Sequence, residues 1–308
     1  MGAYTLRRLL QMIPVLLGTT FLIYTLVWAL PTDPFAGRCG ERPCPEAYIA
    51  AMTERFNLDD PLPVAYFKWL VGLFTGNLGE TYTGLQVSEE VLSAFPTTLK
   101  LATVAILFEI VIGISAGVLA GLKRGGFLDN LILISTLAVV SIPVFVLGTT
   151  LQYLFGIKLG ILPPTVPPGA PWSALILPGF VLGALSMAYV ARLVRSSLIE
   201  NLRADYVRTA TAKGLARRRV VGLHVMRNSL IPVVTFIGAD FGALMAGAVI
   251  TEGIFNVRGV GNLVFRGIQQ QEGALVTAVV TLFVLVFLLV NLLIDLLYGL
   301  LDPRIRYE

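Results

Sequence analysis

The sequence predicts an all-α polytopic membrane protein with six transmembrane helices, N and C termini in the cytoplasm, and a small helical extracytoplasmic subdomain between helices 1 and 2. Three observations predict it. Of the 308 residues, 56% are apolar and 14% are charged, where a soluble domain carries about 25% charged residues. The apolar residues gather into six runs near the ~20 that cross the hydrocarbon core. Fifteen of the 23 lysines and arginines fall in alternate intervening segments and at the two ends, the bias that holds a segment on the cytoplasmic side.

The runs lie at about Leu9–Leu30, Leu101–Leu122, Leu131–Phe155, Ala174–Ala191, Leu230–Ile250 and Ala274–Leu301. The fourth is the shortest and is interrupted by Pro178, Gly179 and Gly183. The first follows Arg7 and Arg8, as a signal peptide would, but it is longer than the ~7–15 residues of such a segment and no small-residue cleavage site follows it cleanly. "FAGRC" before Cys39 has some of the character of a lipoprotein box, which Arg38 opposes. In the third run, Pro143 of "SIPVF" removes a helix hydrogen bond and predicts a kink. Freed backbone groups need partners or water, so kinked helices can line a pathway. Ser141 and Pro143 are therefore candidate pathway-lining residues, with a plain packing kink as the alternative.

The organisation that follows is residues 1–30 for the N-terminus and first helix, 31–98 for the subdomain, and 99–308 for a membrane core with a cytoplasmic loop at 192–229. The subdomain is acidic, carrying Glu46, Glu54, Asp59, Asp60, Glu80, Glu89 and Glu90 among others. Its "LDDPLPVAYFKWL" reads as a turn followed by an amphipathic helix. Cys39 and Cys44 are a candidate disulfide there, since an oxidising compartment permits one. Two free thiols, or a thiol metal site, are the alternatives, and no histidine lies nearby to complete a metal site. With His224 alone and two cysteines, the chain has little inventory for a histidine-rich metal centre or a Cys/His nucleophile pair. No cofactor is expected in this chain. "ILPPTVPPGAP", between the third and fourth runs, reads as a rigid outside loop.

Charges inside a membrane usually face protein or water. Glu109, Asp240 and Asp295 fall within the runs. Asp295 reads as structural. Glu109, among bulky apolar residues, reads as a protonated or helix-paired structural carboxyl. Asp240 in "FIGADFGALMAG" is surrounded by small residues, as at a helix–helix or pore-facing surface, and is a candidate pathway residue that could attract a protonated amine.

The segment "DYVRTATAKGLARRRVVGLHVMRN", from Asp205 to Asn228, is basic and helix-forming, yet it lies between two apolar runs. Gly214 predicts a tight turn or a C-cap between two short helices. The second helix has Leu215, Val220, Leu223 and Met226 as apolar residues and would expose Arg217, Arg218 and Arg219. A lobe of this kind can be an unpartnered cytoplasmic loop, a site for anionic lipid, or a piece that docks into a soluble protein. Thr209, Ala210, Thr211 and Ala212 beside a glycine permit close packing into a cleft, which lipid binding does not need. Nothing points to nucleic acid.

The same segment resembles the cytoplasmic "EAA" loop of ABC-importer permeases, in the dipeptide/oligopeptide/nickel branch, which reads D-Y-V-R-T-A-x-A-K-G-L with R-N-x-L-I-P downstream. This chain has Asp205, Tyr206, Val207, Arg208, Thr209, Ala210, Ala212, Lys213, Gly214 and Leu215, then Arg227, Asn228, Leu230, Ile231 and Pro232. The resemblance continues in "TDPFA", "LDDPLPVAYFKWLVGLFTGNLGETY", "FPTTLKL", "SIPVFVLG", "GAVITEGIFNVRGVGNL" and "IDLLYGLLDPRIR". It is that of a B-type permease subunit.

The resemblance implies a pore-forming subunit of a binding-protein-dependent importer of di- or oligopeptides. It implies a second permease subunit, one or two cytoplasmic ATPase subunits that carry ATP and Mg, and an extracytoplasmic substrate-binding protein. Nickel chelates, glutathione or haem are the alternative cargoes, and a secondary transporter is the alternative mechanism, although no inverted repeat supports it. Asp205, Arg208, Thr209, Ala210, Ala212, Lys213, Gly214, Leu215 and Arg217 would be the ATPase-coupling residues. Glu252, Arg258 and Gly259 would lie at the outer gate or the receptor contact. The chain departs from the family where Arg258 replaces a usual proline, where "QQQEG" replaces R-D-Y-P, and where the general motif's glutamate is absent. No Gly-rich phosphate loop ending in G-K-[ST] occurs, so the chain cannot hydrolyse ATP by that route and energy must enter from a partner.

Overall fold

The computed structural model describes residues 2–28, 44–56 and 59–301, with side chains for 5–28, 44–56 and 59–296. The α-helices are α1 (Gly2–Trp28), α2 (Glu46–Phe56), α3 (Leu62–Phe74), α4 (Val87–Phe108), α5 (Ile114–Leu122), α6 (Phe127–Ser141) and α7 (Val144–Leu151). They continue with α8 (Ile176–Asn201), α9 (Asp205–Ala212), the single turn α10 (Arg217–Arg219), α11 (Met226–Phe255), α12 (Val260–Gln269) and α13 (Gly273–Leu301). Wider π-helical turns at Glu109–Gly113 and Val220–Val225 join α4 to α5 and α10 to α11, and a third, Gln152–Lys158, extends α7. Among the described residues the only β-pairing is one isolated bridge, Glu80 to Gln86.

Among the described residues, five helical stretches are long and apolar enough to cross a membrane: Thr5–Trp28, Val87–Leu122, Trp172–Asn201, Arg217–Phe255 and Gly273–Leu296. A sixth exists if the pair Phe127–Ser141 and Val144–Lys158 counts as one span, although the two halves are bent by 104°. The kink expected at Pro143 is thus a corner. Proline disfavours the helical region for the residue before it, and Ile142 is extended, at φ −96° and ψ 125°. Ser141 and Pro143 are exposed on that corner.

The chain forms two compact units, residues 1–96 with 263–286, and residues 97–262 with 287–308. In the first, α1 and α3 share an aromatic cluster. Tyr24 lies 5.7 Å from Tyr66 and 5.6 Å from Trp69 between ring centres, and the Thr20 and Tyr66 hydroxyls are 2.9 Å apart. The predicted turn and amphipathic helix appear as α3, with Pro61 as its N-cap and Pro63 in its first turn; proline is tolerated there because that N–H has no helical partner. Glu272 is buried and accepts the Tyr82 backbone N–H at 3.0 Å. The boundary expected at residue 98 falls inside α4, which begins at Val87. Cys39 and Arg38 lie outside the described residues, and so does the Cys39–Cys44 pairing.

The second unit is built around α8, which buries 13 of its residues. The least convincing run in the sequence is therefore the most buried helix. Its interruptions are contact points. A Cβ on Gly183 would meet the Ala105 carbonyl oxygen at 2.9 Å, and one on Gly179 would strike Val104. On the facing helix, Gly113, Gly117 and Gly121 repeat every four residues against Val190, Val194 and Leu198 of α8. Without a hydrophobic force between helices in lipid, small residues are what let backbones approach. Pro178 falls in the first turn of α8 and breaks nothing.

Candidate functional site

The basic lobe begins at α9. Its apolar face, Tyr206, Val207 and Ala210, packs with Leu202, Leu215 and Met226 around buried Leu198, Val220 and Val225. Tyr206 also donates to Asn201 Oδ1 at 2.9 Å. The helix ends in a Schellman cap. The Leu215 N–H donates to the Ala210 carbonyl at 3.2 Å and the Gly214 N–H to the Thr211 carbonyl at 2.9 Å. Gly214 takes φ +76° to allow both, a conformation that glycine alone adopts without penalty. Leu215 and Ala210 then meet in the same apolar cluster, the contact that commonly accompanies this cap.

The opposite face of the lobe is exposed: Asp205, Arg208, Thr209, Thr211, Ala212, Lys213, Arg217, Arg218 and Arg219. Asp205 and Arg208 approach to 3.6 Å but are both largely in solvent, so the pair constrains neither. Ala210 is half-buried at the edge of the packed face, and its backbone carbonyl takes part in the cap. The apolar Leu223 is 54% exposed. The π-turn spans Val220–Val225, and both of those end residues are buried; five residues per contact, in place of three or four, turn Leu223 outward. One expectation needs correction: the second element is not a short helix. It is helical without a break from Arg217 to Phe255, so the lobe runs directly into a span.

At the far end of α11, Glu252 has no exposed surface. Thr98 donates its hydroxyl to Oε1 at 2.6 Å and the Asn262 N–H donates to Oε2 at 2.8 Å. The Val260 N–H donates to the same Thr98 hydroxyl at 2.7 Å. The Glu252 carbonyl accepts from the Val257 N–H at 2.9 Å and the Asn262 amide at 3.3 Å. Asn256 caps α11 in the left-handed region at φ 50°. A side chain on Gly259 would collide with the Glu252 carboxylate and Thr98, and one on Gly261 would meet the Val249 N at 2.7 Å. Of the three residues expected at the outer gate or the receptor contact, Glu252 and Gly259 are buried and fold the 252–262 turn, and Arg258 is exposed. The proline-rich loop is fastened to the same end, with the Val166 N–H on the Phe255 carbonyl at 2.9 Å.

Two further charged arrangements lie within the second unit. Arg195 grips Asp129 through Nε at 2.5 Å and Nη2 at 2.8 Å, and Asp129 also accepts the Gly125 N–H at 2.8 Å. Asp129 is almost wholly buried, so this pair joins the start of α6 to α8. Sequence reasoning counted Arg195 only as loop charge; the signal available was an aspartate three residues after Gly125–Gly126, at a helix start. Asp240 is half-buried on α11 and lies within hydrogen-bonding reach of Glu109 and Ser186. Among the described residues no group of three or more His, Cys, Asp or Glu is placed to hold a metal.

Helices crossing a membrane, glycine-packed around a buried centre and carrying an exposed basic lobe, define a polytopic membrane component. The family described as "Binding-protein-dependent transport system inner membrane component" matches residues 113–307, and its N-terminal membrane counterpart matches residues 1–102. The chain belongs to this family and is a multi-pass permease component of the inner membrane. It is 36% identical over 334 residues to a dipeptide transport system permease protein of Alkalihalophilus pseudofirmus, covering 100% of both chains. It is 38% identical over 335 residues to a di/tripeptide transport system permease protein of Pseudomonas aeruginosa, again covering 100% of both. A glutathione transport system permease protein of Salmonella typhimurium is 37% identical over 309 residues, covering 99% of each.

Proposed function

We propose that this chain forms half of the translocation pathway of a peptide importer, and that the lobe at 205–228 receives the stroke of a partner ATPase. The supporting observation is the lobe's construction. An exposed edge of Thr209, Thr211, Ala212 and Lys213 is held rigid by a capped helix, and the chain continues from Arg217 to Phe255 as one helical stretch. A push on the lobe would be transmitted along the axis of a membrane-spanning helix. ATP and Mg would be bound by one or two ATPase subunits, with Arg208, Lys213 and Arg217 meeting acidic residues at the rim of their groove. A second permease subunit would complete the pore, and an extracytoplasmic binding protein would deliver cargo near Arg258. Both termini and the lobe would be cytoplasmic, following the Lys/Arg bias. Asp240, Ser141 and Pro143 remain the proposed pathway residues.

Di- and tripeptides are the proposed cargo, since relatives matched over their full length carry those names. Glutathione, itself a tripeptide, is the second reading, on the strength of the Salmonella relative. Purification from native membranes in mild detergent tests the proposal. The expected eluate contains a second permease, ATPases and a binding protein, with ATP turnover raised by dipeptides. A chain that elutes alone, without ATPase activity, overturns it. Turnover raised by glutathione and not by dipeptides selects the second reading.

A further inference from the structure

Glu109 opens the π-helical turn Glu109–Gly113 and has no exposed surface. Neither of its carboxyl oxygens meets a donor, and Asp240 Oδ2 is likewise buried without one. The group that faces Glu109 is Asp240, reaching across from α11 to within hydrogen-bonding distance, and Ser186 of α8 is the other side chain in reach of Asp240. Among the described residues no lysine, arginine or histidine pairs with either carboxyl.

An ionised carboxylate only accepts hydrogen bonds. Two ionised carboxylates in contact therefore repel, and both Glu109 oxygens and Asp240 Oδ2 are left without a donor. Buried at membrane depth with no cation nearby, that arrangement is among the most costly a protein can hold. A single proton removes the conflict: one carboxyl becomes a donor, the other accepts, and the net charge of the pair falls to −1. Carboxyl pairs that share one proton are a known outcome of such crowding. The π-turn is an independent indication. Inserting an extra residue into a helical turn costs stability and recurs at functional positions, and here it begins at the residue whose side chain has no other partner.

We propose that Glu109 and Asp240 hold one proton between them, forming a proton-binding site that bonds the Val87–Leu122 span to the span that begins at the basic lobe. The pair exists only while α11 keeps Asp240 against Glu109. A movement of α11 that parts them leaves one carboxylate without its donor, which couples the position of α11 to proton occupancy. This inference does not rest on the peptide or ATPase reading.

Infrared spectroscopy of the full chain in lipid nanodiscs at neutral pH tests it. The wild type should show a protonated-carboxyl C=O stretch that shifts in D2O and on 13C labelling of Asp and Glu carboxyls. The Glu109→Gln/Asp240→Asn double variant should lack it. Should the double variant fail to fold, Glu109→Gln serves, because its amide still donates to Asp240 and keeps the contact; the band should be altered there too. Absence of the band from the wild type, or a band unchanged in the variants, overturns the proposal.

Discussion

Glu252 and Thr98 are far apart in sequence, yet the 252–262 turn depends on both. Removing the carboxylate would leave the buried Thr98 hydroxyl and the Asn262 backbone N–H without their acceptor. Glu252→Ala should therefore cost about 2–4 kcal/mol, read as a fall in the unfolding midpoint in detergent, while Arg258→Ala, at an exposed position, should leave that midpoint unchanged. The Asp129–Arg195 pair makes a sharper case. Arg195→Ala leaves a buried aspartate with only the Gly125 N–H as donor, which should cost about 1–3 kcal/mol. Arg195→Lys should recover only part of this, since an ammonium cannot reproduce the two-pronged grip; equal midpoints for the Ala and Lys variants would contradict that geometry. Neither network was legible beforehand. Sequence reasoning sees that a charge is present, but a partner 66 or 154 positions away is supplied only by folding.

At the scale of elements, glycine does two different jobs here, and substitution separates them. At Gly214 a Cβ would meet nothing within 4 Å, and φ is +76°. Gly214→Ala should thus cost only the left-handed backbone penalty, about 1–2 kcal/mol. Gly214→Pro cannot adopt that angle and should destroy the cap, detectable as protease cleavage at the lobe in an otherwise inserted protein. At Gly117 the limit is space: a Cβ would lie 2.5 Å from the Ala191 carbonyl oxygen and 2.6 Å from Val194. Gly117→Leu should force α5 from α8 and cost several times the ~1–3 kcal/mol of ordinary overpacking, measured by loss of folded yield. The cap at Gly214 was readable from a glycine after a helix-forming run. The role of Gly179 and Gly183 was not, because they interrupt an apolar pattern and look like breakers until Val104 and Ala105 are placed against them.

For the whole molecule, the predictions concern sidedness and coupling. Single cysteines at exposed Ala212 and Thr83, in a background where Cys39 and Cys44 are replaced, should react with an impermeant thiol reagent from opposite sides of the membrane: Ala212 from the cytoplasm, Thr83 from outside. Labelling from the same side would refute the orientation. Ala212→Trp, on the exposed edge of α9, should abolish transport while the unfolding midpoint and membrane insertion stay as in the wild type. Ala210→Trp, on the packed face, should also lower the midpoint. That difference separates a docking surface from a merely structural lobe.

The sequence by itself determined that the chain is helical and membrane-spanning, where its apolar segments lie, which segments carry the positive bias, and which family it belongs to. These are properties of composition and local spacing, and a bilayer admits few solutions to them. Only the tertiary structure decided that α8 is the buried centre, that Pro143 makes a corner, that Glu252 anchors the 252–262 turn, and that Glu109 faces Asp240. Each of those depends on which surfaces meet. A glycine, a proline or a carboxylate has the same local preferences wherever it stands, and what it does is settled by the atoms that folding brings to its side.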